Sequence, residues 1–290
     1  MLLGLLLASP ASERPGVRCV LVLPSGVEPF ADAPEKLDRT VRDVQWWYSC
    51  QMEAYGYGPK TFDYEKDARG HLVVNVARLP PDAPTESVAL REATVKAAET
   101  VLGDAKARRG TVMLMVYNGY VWTDRERYAM ATMGYGQPGR WAHLTAWQYN
   151  AVNANGWRDV TPVPKLPLDN PYFSPLATRV LQAFSGDGVK TVAERTSAGY
   201  GVFAHEMGHA FGLLHPDRKL PLTPGDLMAS RFWHMRGNFL EDLPRDWCCL
   251  SPGEAAVLDK NPIFQPREVA PPSTGVSRRV GMRGAVSVAQ

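Results

Sequence analysis

Three histidines and one glutamate stand close together in an otherwise apolar stretch of the chain. The segment FAHEMGHAFGLLH contains His205, Glu206, His209 and His215. Residues four apart on an α-helix project from one face, one turn apart, so His205 and His209 can bind a single ion. Neutral imidazole is a ligand that zinc accepts readily. The spacing therefore predicts a metal site in this segment.

The glycine of this segment predicts a reversal of the chain. Gly212 follows His209 by three residues, and a glycine can take a positive φ, end a helix and turn the backbone sharply. Such a turn brings His215 back as a third ligand. Three imidazoles leave one coordination position open, which is typical of catalytic zinc and not of structural zinc. Glu206 is then expected to act as the general base for an attacking water.

These residues resemble the metzincin clan of zinc metallopeptidases. The clan pattern H-E-x-x-H-x-x-G-x-x-H is matched without a substitution from His205 to His215. The resemblance implies a Zn²⁺ cofactor and hydrolysis of peptide bonds. It also implies an N-terminal α/β subdomain, a helix that carries the zinc ligands, and a smaller irregular C-terminal subdomain across the cleft.

The resemblance further implies a turn with a methionine beneath the zinc ligands. Met228, in the stretch GDLMAS, is the candidate for this Met-turn, and Met235 is the second choice. In the clan, the segment after this turn forms the wall of the pocket for the side chain that follows the scissile bond. That role carries over here to Arg231, Phe232 and Trp233.

The family within the clan stays unassigned. Pro216 follows the third histidine, where matrixin-like and reprolysin-like members have Ser or Asp, and no tyrosine stands two residues after Met228. The specific part of the resemblance covers about 25 residues, and the rest of the chain is compatible with it.

Ahead of this segment, strand-like and helix-like stretches alternate. Hydrophobic periodicity and turn signals predict the following elements. Strands are expected at 17–23, 111–117 and 141–149, helices at 34–55 and 85–108, and a hairpin at 61–65 and 71–79. This order predicts an α/β fold with a twisted, mostly parallel sheet and helices on its faces.

The expected domain organisation has three parts. Residues 1–15 form a signal peptide or a disordered terminus, and residues 16–265 form the catalytic domain, with subdomains 16–212 and 213–265. Residues 266–290 are rich in Pro, Ser and Gly and show no periodicity, which predicts a flexible basic tail.

The first residues favour export. MLLGLLLASPAS has a short apolar run, and Ser9 and Ala11 are spaced like a signal-peptidase site. A secreted or periplasmic protein is therefore expected. The four cysteines, at positions 19, 50, 248 and 249, would then allow two disulfides with three connectivities, and buried free thiols are the alternative.

Composition excludes some partners. The 290 residues carry 32 basic and 30 acidic side chains, a net charge of +2, and these are well interspersed. No strong field is present for nucleic acid, and no stretch is apolar for long enough to span a membrane. The expected partner is a protein or peptide substrate.

The sequence as a whole predicts a zinc endopeptidase. Two alternatives stay open at this point: a zinc amidase that acts on non-protein amides, and a non-catalytic binding protein that zinc stabilises. Glu206 counts against the binding protein, because a structural site has no use for a base.

Overall fold

A five-stranded sheet forms the centre of the N-terminal part. The computed structural model describes residues 16–84, 87–103, 111–118, 135–137, 141–145, 156–173, 178, 182, 191–217, 224–229, 231–272 and 274–285. The strands of the main sheet are β1 (Gly16–Leu23), β3 (Val74–Arg78), β4 (Thr111–Tyr117), β5 (Tyr135–Gln137) and β6 (Trp141–Thr145). Their order is β3-β1-β4-β6-β5. Strands β2 (Lys60–Thr61) and β7 (Gln265–Pro266) form a second, antiparallel pair.

Helices cover both faces of this sheet. The α-helices are α1 (Ala33–Ala54), α2 (Ser87–Leu102), α3 (Val192–Ala210), α4 (Arg236–Phe239), α5 (Pro252–Asp259) and α6 (Arg278–Gly281). Short 3-10 helices lie at Gly156–Arg158, Val163–Lys165 and Arg231–Trp233. Within the described part of the chain, no helix combines the length and the apolar character that crossing a membrane requires.

The sheet confirms the predicted α/β class. Strands β1, β3, β4 and β6 are parallel, and only β5 is antiparallel, at the edge beside β6. Along β1 successive side chains alternate between two cores. Cys19 and Leu21 join the core that contains α1 and α3, whereas Val20 and Val22 join the core under α2. Burial on both faces is what keeps these strands continuously apolar.

The predicted hairpin at 61–65 and 71–79 is wrong in its longer arm. Only its tip is antiparallel, through a bridge between Lys66 and Leu72. Beyond the tip, β3 pairs in parallel with β1, from Cys19 with Val74 onward. The alternation of β3 predicted a strand correctly but could not select its partner, because an edge position on the main sheet satisfies the same pattern.

Part of the segment predicted as a flexible tail packs against helix α1. Gln51 of α1 donates from Nε2 to the carbonyl of Gly281 over 2.7 Å, and Arg278 forms an ion pair with Glu53 at 2.6 Å. A Cβ at position 281 would lie 2.6 Å from the ring of Trp46. The small residues that resemble a disordered composition are therefore those that let the backbone dock closely on α1.

The cysteines are buried and unpaired. All four are free thiols, so the structure shows the alternative to disulfides. Burial raises the pKa of Cys19 and of Cys50 to about 12, which keeps both thiols protonated. The predicted signal peptide lies outside the described residues.

Candidate metal centre

Helix α3 carries the first part of the site and is held firmly at its start. The side chain of Thr191 accepts a hydrogen bond from the backbone of Glu194, and the Glu194 carboxylate accepts one from the backbone of Thr191. This capping box satisfies two backbone donors that would otherwise lack partners. Almost all of the helix is buried. Its last two turns therefore place His205, Glu206 and His209 on a rigid support.

The helix ends in a Schellman motif centred on Gly212. The backbone N–H of Leu213 donates to the carbonyl of Gly208 over 2.9 Å, and that of Gly212 donates to His209 over 2.9 Å. Gly212 has a φ of 98°, a conformation that side-chain-bearing residues rarely adopt. The chain reverses at this point and returns His215 to the face that carries the other two histidines.

The three imidazoles converge on one point. Nε2 of His215 lies 3.1 Å from Nε2 of His205 and 3.0 Å from Nε2 of His209. Two nitrogens bound to one tetrahedral zinc at about 2.0–2.1 Å are about 3.3 Å apart, so the spacing fits such an ion. Among the described residues, these three histidines are the one group with metal-ligand spacing.

Two backbone carbonyls set the orientation of the rings. Nδ1 of His205 faces the carbonyl of Leu227 at 2.8 Å, and Nδ1 of His209 faces that of Leu213 at 2.9 Å. A carbonyl oxygen only accepts, so each Nδ1 carries the proton and each Nε2 keeps its lone pair. Lone pairs that point at one another are stabilised by a cation between them. The donor set therefore fits a metal ion.

Burial favours the neutral form that a metal requires. It lowers the pKa of His205 to about 4, and the neighbouring His209 and His215 lower it further, against the bond to Leu227. Burial also lowers the pKa of His209. Both rings are uncharged at neutral pH, so metal binding there displaces no proton from them.

Glu206 lies beside the cluster. Its Oε1 is 4.0 Å from Nε2 of His205, and only 6% of the residue is exposed. The gap is too long for a direct hydrogen bond and is close to the span that a water bridges. The carboxylate therefore lies directly beside the point on which the three imidazoles converge.

A tight turn that contains Met228 lies beneath the histidines. Oδ1 of Asp226 accepts the backbone N–H of Met228 over 2.8 Å and shapes the turn. The same turn presents the Leu227 carbonyl to His205. Met228 is fully buried, and its sulfur would lie 2.9 Å from a Cβ at Gly208, so it packs directly against the helix between the two ligands. Met235, the second choice, is buried farther along the chain, and its backbone N–H donates to Oγ of Ser197 over 2.9 Å.

A pair of buried carboxyl groups supports this turn from behind. The carboxyl groups of Asp226 and Glu254 lie close together, and each affects the pKa of the other. Burial raises the pKa of both groups, and the charge of Asp226 raises that of Glu254 further. The backbone N–H of Ser251 also donates to Glu254 over 2.7 Å. A proton on Glu254 thus lets two carboxyls stay buried in the same place.

The three residues proposed for the pocket wall differ in position. The ring of Phe232 lies 4.8 Å from that of His205, and the ring of Trp233 lies 4.8 Å from Phe232. Both aromatic residues are half-buried, whereas Arg231 is exposed. The structure therefore brings Phe232 directly to the metal ligands, with Trp233 behind it and Arg231 on the surface.

Several groups that shape the site were not identified from the sequence. The carbonyls of Leu213 and Leu227 carry no signal in the sequence, because any residue has one. Ser197 and Gly201 precede His205 by eight and four residues and share its helix face. Their small size on that face is the signal that could have indicated a close approach of another segment.

Neither a protein-family model nor a curated protein matches this chain. Solved structures of OgpA from Akkermansia muciniphila resemble its fold. Wild-type OgpA matches with a TM-score of 0.56 and 19% identity, over 86% of this chain and 61% of OgpA. Catalytically inactive OgpA in complex with an O-glycopeptide substrate, glycodrosocin, matches with a TM-score of 0.54 and 16% identity, over 88% and 64%. This chain thus spans less than two thirds of the length of OgpA.

Proposed function

We propose that this protein is a zinc-dependent endopeptidase of the metzincin clan. The observation that carries the proposal is the convergence of the Nε2 atoms of His205, His209 and His215, with the Nδ1 atoms of the first two directed at carbonyls. The match of all five pattern residues, from His205 to His215, supports the clan. The turn at Met228 is the proposed Met-turn.

Glu206 is the proposed general base. When bound, zinc polarises a carbonyl oxygen and acidifies water. The Glu206 carboxylate, 4.0 Å from His205 Nε2, takes the proton from the water that attacks the scissile carbonyl. The protonated carboxyl then returns that proton to the departing amine. Leu227 and Leu213 keep the imidazoles aligned throughout, because their carbonyls hold the Nδ1 protons.

The proposed substrate is a peptide or protein. The solved OgpA complex holds an O-glycopeptide substrate, and its similarity in fold makes O-glycosylated peptides the first substrates to test on this chain. The zinc amidase alternative uses the same metal and base with another amide. It is distinguished by the substrate alone. A secreted or periplasmic location is part of the proposal, since the first residues resemble a signal peptide.

Zinc content and proteolysis measured together test the proposal. The purified chain is expected to hold one zinc and to cleave unfolded casein, with activity lost on chelation and regained with zinc. An O-glycopeptide, the same peptide without its glycan, and peptidoglycan fragments are then compared. Cleavage of peptidoglycan fragments alone would favour the amidase. Stoichiometric zinc with no hydrolysis of any of these would overturn the enzymatic function and leave a zinc-stabilised binding protein.

A further inference from the structure

The segment that contains Phe232 lies along a single face of helix α3. Ser197, Gly201 and His205 are four residues apart and therefore share this face. Each of them contacts the segment 232–235. The segment runs back along the helix, with Phe232 nearest the metal ligands and residue 235 nearest the start of the helix.

The hydroxyl of Ser197 binds this segment both as a hydrogen-bond donor and as an acceptor. Its Oγ donates to the carbonyl of Trp233 over 2.7 Å and accepts the backbone N–H of Met235 over 2.9 Å. The residue is completely buried. A buried hydroxyl that bridges two backbone groups fixes the distance and the orientation of the segment, because either group would be costly to leave without a partner.

Gly201 sets how closely the segment approaches. A Cβ at this position would overlap the carbonyl oxygen of Phe232. The backbones of the helix and of the segment are therefore in direct contact one turn before His205. No other residue type permits this contact without moving the segment away from the helix.

The consequence is a defined position for the Phe232 ring. It lies 4.8 Å from the ring of His205 at an interplanar angle of 55°, a favourable geometry for two aromatic rings. Phe232 is only half-buried, and Trp233 lies at 4.8 Å beside it. An apolar aromatic surface thus stands next to a metal ligand and remains partly open.

We propose that Ser197 is a positioning residue that acts through Phe232 to determine which substrates fit beside the metal ligands. Its hydroxyl holds the Phe232 ring against His205, and the ring then favours peptides with an aromatic side chain next to the scissile bond. The inference rests on the proposed peptidase function for its substrate, but the position of the ring stands on the contacts alone.

The test compares two peptides that differ only in the residue after the scissile bond, Phe or Ala. The ratio of their kcat/KM values is measured for the wild type, Ser197→Ala, Ser197→Thr, Phe232→Ala and the double variant Ser197→Ala with Phe232→Ala. We expect Ser197→Ala to lower the preference for Phe about tenfold. Ser197→Thr keeps the hydroxyl and is expected to keep the preference.

The double variant separates positioning from general destabilisation. If Ser197 acts through Phe232, adding Ser197→Ala to Phe232→Ala changes the ratio no further. An equal loss of activity on both peptides, or additive effects in the double variant, would overturn the proposal. Should Ser197→Ala fail to fold, Phe232→Ala alone tests the proposal, because Phe232 is only half-buried. An unchanged ratio of kcat/KM values for the two peptides in Phe232→Ala would contradict the role of the ring.

A second measurement keeps this inference distinct from the proposed function. The imidazole resonances of His205 are recorded by NMR in the full chain, labelled on histidine. Ser197→Ala is expected to shift them toward their values in Phe232→Ala, because the ring current of Phe232 moves away. A shift without cleavage of any peptide would overturn the peptidase and retain the positioning, whereas unchanged resonances would overturn the positioning.

Discussion

The hydroxyl of Tyr200 donates a hydrogen bond to Oδ2 of Asp43 over 2.8 Å and so joins helix α3 to helix α1. Tyr200 also stacks on Trp157, with ring centroids 4.7 Å apart. Burial raises the pKa of Asp43 to about 6, even though the bond from Tyr200 lowers it. This carboxyl is therefore a titrating group inside the contact that supports the histidine-bearing helix.

Replacing Asp43 by Asn should remove a pH-dependent loss of stability. Because the folded-state pKa is raised, the folded protein holds this proton more tightly, and stability is greatest below the unfolded pKa. In the wild type, the contribution of Asp43 to the free energy of unfolding falls as pH rises from about 4 to about 6. Asp43→Asn should lack this pH-dependent contribution. A shift from 3.8 to about 6 corresponds to about 3 kcal/mol.

Urea unfolding of the wild type and of Asp43→Asn at pH 4 to 8 measures this effect. Tyr200→Phe removes the hydrogen bond that lowers the pKa of Asp43, so this pKa should rise. The decline in the stability of Tyr200→Phe should therefore extend to higher pH than that of the wild type. If the free energy of unfolding changed with pH in the same way for the wild type and Asp43→Asn, Asp43 would not be the titrating group.

Replacing Glu206 by Gln should separate metal binding from catalysis. The three imidazoles are untouched, so zinc should remain, whereas loss of the base should lower kcat by a factor of about 10² to 10⁴. Zinc analysis and casein hydrolysis measure the two effects. Glu241→Gln, at an exposed position, is the matched control and should retain full activity. Normal turnover in Glu206→Gln would refute its role.

Replacing His209 by Ala should abolish stabilisation by zinc. A ligand that binds only the folded state raises its stability, by about 2.7 kcal/mol at a free concentration one hundred times its Kd. Thermal unfolding with and without zinc should therefore show a rise in Tm for the wild type and none for His209→Ala. His234→Ala is the control, since His234 contacts Asp246 and not the cluster. An equal rise in Tm for His209→Ala would place the metal elsewhere.

Replacing Gly201 by Ala should destabilise the fold. The added Cβ overlaps the carbonyl oxygen of Phe232, and overpacking of this kind costs about 1–3 kcal/mol. Gly253 is helical, and a Cβ there would meet nothing within 4 Å. Gly253→Ala should therefore be neutral or stabilising by up to about 1 kcal/mol. Chemical denaturation of both variants gives the comparison, and similar values for the two would show that the segment moves freely.

Replacing Gly281 by Val should loosen the C-terminal tail and expose a thiol. A Cβ at this position would lie 2.6 Å from Trp46 and 2.8 Å from the Cys50 sulfur. The native wild type should show slow reaction of all four thiols with a disulfide reagent, because each is buried. Gly281→Val should make Cys50 react faster. Arg279→Ala, at an exposed position, should not change the rate, and a fast wild-type reaction would show that the tail does not cover Cys50.

Part of the fold could be predicted because its signals are local. The alternating apolar residues of β1 and β4 and the helical periodicity of α1 each depend on neighbours within a few residues. The parallel pairing of β3 with β1 joins Cys19 to Val74, and the docking of Gly281 on Gln51 spans 230 residues. Neither leaves a pattern in the sequence, because many partners satisfy the same local preferences.

The sequence by itself determined which residues stand together at the candidate site. His205 and His209 share a face because a helix has 3.6 residues per turn, and Gly212 turns the chain toward His215 because it alone tolerates that φ. Only the tertiary structure decided how the imidazoles are oriented. The carbonyl that holds His205 belongs to Leu227, 22 residues further along the chain, and a backbone oxygen acquires such a role only when folding brings it there.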